Sequence, residues 1–136
     1  MKQTTLTVDS IIEIGGKIVL IKRRAEPFKG FWAIPGGHVN YMETVEHASV
    51  REAKEETGLA IKLTGLVGVY SDPRRTLDSE HRVAIAFAAR KISGKLKSGD
   101  DAANVALFSI KEILKTSLAF DHNKILEDYF KQRDKN

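Results

Sequence analysis

Glu52, Glu55 and Glu56 place three carboxyl groups within five residues of a 136-residue chain, a spacing that suits either a metal ion or a solvated surface. In a helix, residues three, four, seven and eleven positions apart share a face. Counted from Val45, that stripe holds Val45, Ala48, Ser49, Glu52 and Glu56, with Glu55 one step round. Its first half is small and apolar, as a core-facing stripe should be, and its second half is acidic. Carboxylates this close repel and raise one another's pKa unless something neutralises them. A hard divalent cation does so, because Mg²⁺ and Mn²⁺ favour carboxylate oxygens. The alternative is an acidic face turned to water, with Glu55 paired to Arg51 one turn away. The turn ahead of the helix, Pro35-Gly36-Gly37, and the apolar half-stripe favour the metal site.

These side chains need a helix to carry them, and the pattern predicts one from about Glu43 to Thr57, with Gly58 as a left-handed C-terminal cap. Ahead of it, Leu6 to Ile14 reads as a first strand, Gly15-Gly16 as a turn and Lys17 to Ile21 as a second strand. Arg23 to Phe31 reads as a loop, and Phe31 to Ile34 as a short strand stopped by the Pro-Gly-Gly breaker. Beyond the helix, Ile61 to Tyr70 and Val83 to Ala89 read as strands around a polar loop, Ser71 to Arg82. Val105 to Ile110 is the last strand, and short helices are expected over Lys111 to Lys115 and Asp121 to Lys131. Strands, one long central helix and terminal helices imply α/β layers around a mixed sheet. The order lacks the strand–helix alternation of a doubly wound parallel sheet.

Length suits one domain over residues 1–136, and 42% apolar with 29% charged residues supports a packed core. The absence of cysteine excludes disulfides, thiolate metal sites and cysteine nucleophiles. No apolar run approaches a membrane span, and the N-terminus lacks the pattern of a signal peptide, so a cytoplasmic enzyme is the simplest expectation. A net charge of +4 attracts polyanions only weakly and mostly describes a soluble surface. His38 and His47 lack metal-ligand spacing to another histidine.

Gly37, Glu43 and the run Arg51-Glu52-Ala53-Lys54-Glu55-Glu56-Thr57-Gly58-Leu59 together resemble the complete Nudix box. Only Ala53 is smaller than the usual aliphatic residue. The resemblance extends from Val8 through Arg23-Arg24 to the last helix and implies the Nudix fold, an α/β/α sandwich with a central mixed β-sheet. It further implies that Glu52, Glu55 and Glu56, with the Gly36 carbonyl, hold one to three Mg²⁺ ions, with Mn²⁺ as a substitute. The ions would neutralise a pyrophosphate and lower the pKa of a bound water. Glu52 is the choice for orienting or deprotonating that water, Glu55 the second catalytic carboxylate, and Asp100 or Asp101 a candidate loop group. Arg51 would orient the carboxylates and pair with Glu43, while Gly37 and Gly58 shape the turns.

The segments Gly68 to Pro73 and Ala119 to His122 look like those of small archaeal and bacterial ADP-ribose pyrophosphatases, which yield AMP and ribose 5-phosphate. The chain departs from them in the run Thr76 to His81 and in Asn104, where an acid is common. Arg24 or Arg23 could reach phosphate or base, and Arg74 and Arg75, in an exposed loop, a terminal phosphate. Trp32 and Phe31 could stack on a base or fill the core, and His122 could contact ligand or merely open the last helix. The competing functions are a nucleoside triphosphate pyrophosphohydrolase, including for oxidised dNTPs, and a non-catalytic nucleotide sensor. Sensors usually lose box carboxylates, whereas all three are present here. A homodimer is compatible with this reading, and no reading helix for nucleic acid is attached.

Overall fold

The computed structural model describes residues 2–76, 78–97 and 104–135. Two β-branched runs form its centre: β1 (Thr4–Ile14) and β2 (Lys17–Lys22) meet through the Gly15-Gly16 turn, where both glycines take positive φ. Strand β6 (His81–Gly94) lies parallel to β1 over Thr4 to Ile12, and β5 (Leu59–Tyr70) pairs antiparallel with β6. On the far side, β3 (Trp32–Ala33) and β7 (Val105–Phe108) both pair antiparallel with β2. One parallel pair among antiparallel neighbours makes the sheet mixed, as expected.

Side chains alternate between the two faces of a strand, and each face here builds its own core. Ile11, Ile18 and Leu20 point toward Ile125 and Leu126 of α3 (His122–Arg133) and Ile113 of α2 (Ile110–Leu114). Ile12, Val19 and Ile21 point the other way, toward Ala53 of α1 (Val45–Thr57) and Leu59. The result is helix, sheet, helix. Ala53 is fully buried, and its small side chain lets α1 lie close to the sheet. Among the described residues no helix is long and apolar enough to cross a membrane.

The structure differs from the sequence reading in one added strand and in several element ends, among them β6, which runs on to Gly94. Pro35-Gly36-Gly37 does stop β3, yet Gly36–His38 forms a further strand, β4, antiparallel to β1 with Val8 opposite Gly37. A side chain at Gly36 would collide with the Val8 carbonyl, so only glycine permits that approach. Helix α1 begins at Val45 because Thr44 caps it, its hydroxyl accepting from the His47 N–H at 3.1 Å. Glu43 thus stays outside the helix. Strand β7 ends at Phe108 because Ser109 and Glu112 form a reciprocal capping box that starts α2.

Candidate active site

Arg51, on the second turn of α1, organises the first part of the site. Its Nε donates to Glu43 Oε2 at 2.7 Å and its Nη2 to Glu43 Oε1 at 2.9 Å, a two-pronged pairing that lysine cannot make. Nη1 donates to Glu52 at 2.7 Å and to Glu55 at 3.3 Å, and Nη2 also reaches the His38 carbonyl at 3.0 Å. The Arg51 hydrogen bonds, followed by the Asn40 N–H, hold the Glu43 carboxyl down at about 2. Glu43 also meets His47 Nδ1 at 2.6 Å. Glu43 reaches Arg51 by folding back from ahead of the cap.

Glu56 has a different environment. One turn beyond Glu52, it points inward and accepts the Gly36 N–H at 2.7 Å. Burial pushes its pKa up to about 8; the Gly36 hydrogen bond opposes this, and the charges of Glu52 and Asp9 add to it. Glu52 lies against the neighbouring glycine, where a Cβ on Gly37 would come within 2.6 Å of its carboxyl group. Two carboxyls thus press on the Gly36-Gly37 strand, and the inward one, Glu56, has other acids as neighbours. Hard oxygens short of a cation fit a divalent ion. Glu55 stands apart at 59% side-chain exposure. Among the described residues no three acidic or imidazole side chains are already gathered around one point. Arg51 holds Glu52 and Glu55 where the sequence reading had all three glutamates converging. Asp100 and Asp101, the other acids considered, lie outside the described residues.

Two cavities flank Glu56. The first, about 300 Å³, is lined by Lys22, Arg23, Arg24, Lys97 and Asn104 together with Glu55 and Glu56. With its amide oxygen turned toward Arg24, Asn104 accepts from Arg24 Nη2 at 2.6 Å. This basic lobe suits phosphate groups. The second, about 210 Å³, runs behind Gly36 and mixes apolar walls with Asp9, Arg23, Arg82 and His122. Phe120 closes one side, with the Arg23 guanidinium 4.9 Å from its ring centre. Its backbone sits in the left-handed region at φ 53°, a strained conformation for a bulky residue.

The residues proposed for substrate therefore divide. Arg23, Arg24, Arg75 and His122 all line one of these cavities. Arg75, however, does not extend from an exposed loop. Its side chain is only 5% exposed, and Nε donates to Asp121 at 2.8 Å while Nη2 binds the other carboxyl oxygen. That pairing occupies Asp121, which stands at the start of α3 without making a side-chain cap. Arg74 is the exposed one and folds onto Asp72. Trp32 lines neither cavity; it packs 4.9 Å from Phe108 against the core under α3. Phe120, rather than Trp32, brings an aromatic ring to the pocket. The sequence reading passed over Asp9 and Arg82. Asp9 left one signal, an acid inside an otherwise apolar central strand.

With this geometry established, the chain can be set beside known proteins. The NUDIX domain family model matches residues 3–129. An ADP-ribose pyrophosphatase from Methanocaldococcus jannaschii is 50% identical over 129 residues, spanning 95% of this chain and 75% of that protein. Among solved structures, a MutT NUDIX hydrolase from Burkholderia pseudomallei superposes with a TM-score of 0.81 at 30% identity, covering 93% of this chain and 98% of that one. A bifunctional NMN adenylyltransferase/ADP ribose pyrophosphatase from Francisella tularensis, complexed with AMP and a Mn ion, gives a TM-score of 0.81 at 26% identity. That match covers 97% of this chain and 42% of the other, so it concerns one part of a larger protein. The glycine pair, the Arg51-bound glutamates and the inward-pointing Glu56 lie within a match that runs along nearly the whole sequence, and on that ground the chain belongs to the Nudix family of hydrolases.

Proposed function

We propose that this Nudix hydrolase cleaves the pyrophosphate bond of a nucleoside diphosphate joined to another group, with ADP-ribose as substrate and AMP and ribose 5-phosphate as products. The observation that carries the reading is the position of Glu56, hydrogen-bonded to the Gly36 N–H between a basic cavity and a mixed one. The sequence kinship to the archaeal ADP-ribose pyrophosphatase supports the choice of substrate. Glu52, Glu56 and the Gly36 main chain would hold Mg²⁺, or Mn²⁺ in its place, with Glu55 joining them by leaving Arg51. Such an ion, when bound, offsets the charge of the pyrophosphate and makes hydroxide available near neutral pH. Arg51 aligns Glu52 from the helix side, and Glu52 positions the attacking water and takes its proton. Arg23 and Arg24 face the phosphate oxygens. Water adds to one phosphorus, the bridging P–O bond breaks, and the leaving phosphate departs with the bridging oxygen.

The deciding experiment is a panel with Mg²⁺, ADP-ribose against dGTP and its oxidised analogue, with products resolved by chromatography. AMP and ribose 5-phosphate are expected. Pyrophosphate release from the dGTP compounds at a higher kcat/KM than ADP-ribose cleavage would transfer the assignment to triphosphates. Tight binding without turnover of either would make the chain a sensor.

A further inference from the structure

Asp9 is the least explained charged residue in the molecule. It occupies a central strand, is 6% exposed, and makes no side-chain hydrogen bond among the described residues. Its strand parity is that of Ile11, so it points to the α3 face, where it meets the first residue of that helix. There His122 Nδ1 accepts the Ile34 N–H at 2.9 Å. An imidazole nitrogen that accepts from a backbone amide carries no proton, so the neutral ring holds its hydrogen on Nε2. That Nε2 lies 3.6 Å from Asp9 Oδ1, too far for a hydrogen bond. No fully enclosed side-chain polar atom lacks a partner among the described residues. Both atoms therefore open onto the mixed cavity, which Asp9 and His122 line. A carboxylate acceptor and an N–H donor stand side by side, unused by the protein.

We propose that Asp9 and His122 read the polar edge of the substrate's nucleobase and select an amino group beside an unprotonated ring nitrogen, the edge that adenine presents. The amino N–H donates to Asp9 Oδ1, and the ring nitrogen accepts from His122 Nε2–H. The walls favour a base over a sugar. Ile34, Ala33, Pro27 and Phe120 offer apolar surface to a flat ring, and Asp9 and His122 stand where its polar edge would fall. The basic cavity on the other side of Glu56 is left for phosphate and the second sugar. A 6-oxo base mismatches both atoms at once, setting a carbonyl against the carboxylate and a ring N–H against the imidazole N–H. This assignment deepens the ADP-ribose reading and rests on it for the choice of adenine.

The test is calorimetric binding of AMP and of IMP at a pH well above 7, where Asp9 is ionised, with Mg²⁺ present, to the wild-type chain and to Asp9→Asn. Wild type should bind AMP more tightly by about 10- to 100-fold, the size of a two-point edge contact. In Asp9→Asn the amide can turn either its oxygen or its NH₂ to the ligand, so the preference should shrink to about threefold or less. Equal affinities in wild type, or an undiminished preference in the variant, would overturn the assignment. If the variant does not fold, as judged by circular dichroism, the wild-type pair of affinities decides alone. A chain that prefers AMP yet leaves ADP-ribose uncut would sink the substrate proposal and spare this one.

Discussion

The two ends of the candidate site manage their charges in opposite ways. Around Arg51 every carboxylate has a partner: Glu43 is doubly bound, Glu52 is held at 2.7 Å, and even exposed Glu55 is reached at 3.3 Å. Asp9 and His122 are buried, Glu56 is partly so, all three are short of partners, and their pKa values depart from the ordinary range. Burial drives Asp9 up to about 7 against the pull of Arg75, and drives His122 down to about 3 with help from Arg75 and Arg23. Paired charges hold geometry, whereas buried polar groups without partners remain costly until a ligand or ion completes them. Arg51 and Glu43 therefore read as the scaffold that presents Glu52, while the Asp9–Glu56 end offers the groups that the proposed cation and substrate would complete.

The sharpest way to break this comparison is Glu56→Gln, which keeps shape and removes the carboxyl that a cation would hold in its charged form. Turnover with Mg²⁺ should fall by about 10³-fold, the loss of several kcal/mol of charge stabilisation. The far-ultraviolet circular dichroism should be unchanged, and a wild-type rate would place the metal elsewhere. Arg51→Lys tests the scaffold end. A lysine keeps the charge and cannot span Glu43 and Glu52 together, so kcat should drop by about 10- to 100-fold with little change in KM. A rise in KM alone would instead make Arg51 a substrate contact.

The smallest effect concerns stability against pH. The folded pKa of His122 is lowered from 6.5 to about 3, so the unfolded chain takes up a proton that the folded chain refuses. Stability from this residue is lost as pH falls below 6.5. The folded pKa of Asp9 is raised from 3.8 to about 7, so its effect runs the other way, with stability lost as pH rises toward 7. Between about pH 4 and 6.5 the two slopes oppose each other. Asp9→Asn should expose the His122 slope, losing roughly 1 kcal/mol per pH unit relative to wild type as the medium is acidified through that window. Urea denaturation at several pH values measures it: parallel profiles for the two proteins would refute the raised Asp9 pKa, and a variant whose stability does not fall on acidification would refute the neutral His122 form.

Much of the fold was legible because it follows from local rules. Apolar and β-branched runs predicted β1, β2 and β5 to within a few residues and the middle of β6, and Gly58 marked the end of α1, where it takes φ 85°. The glutamate stripe identified the right helix face for Glu52 and Glu56, and the Arg51–Glu43 pairing read from the box is present at 2.7 Å. What escaped depends on contacts between distant segments. Strand β4 exists because glycine lets it approach β1, and a glycine pair read alone signals only a break. Arg75 is buried because Asp121, far along the chain, holds it. Trp32, for which the sequence allowed either a base or the core, packs on Phe108 of β7, and it is Phe120 that lines the pocket.

Residue types and their periods were enough to determine which helix carries the acids, which glycines cap and turn, and which family the chain resembles, because propensity, face and motif are properties of neighbouring residues. Only the tertiary structure decided which acids are satisfied and which are not. Burial and partnering depend on where β1, Arg75 and the start of α3 meet. Asp9 next to His122 is a fact of that meeting, since 113 positions separate them in the sequence.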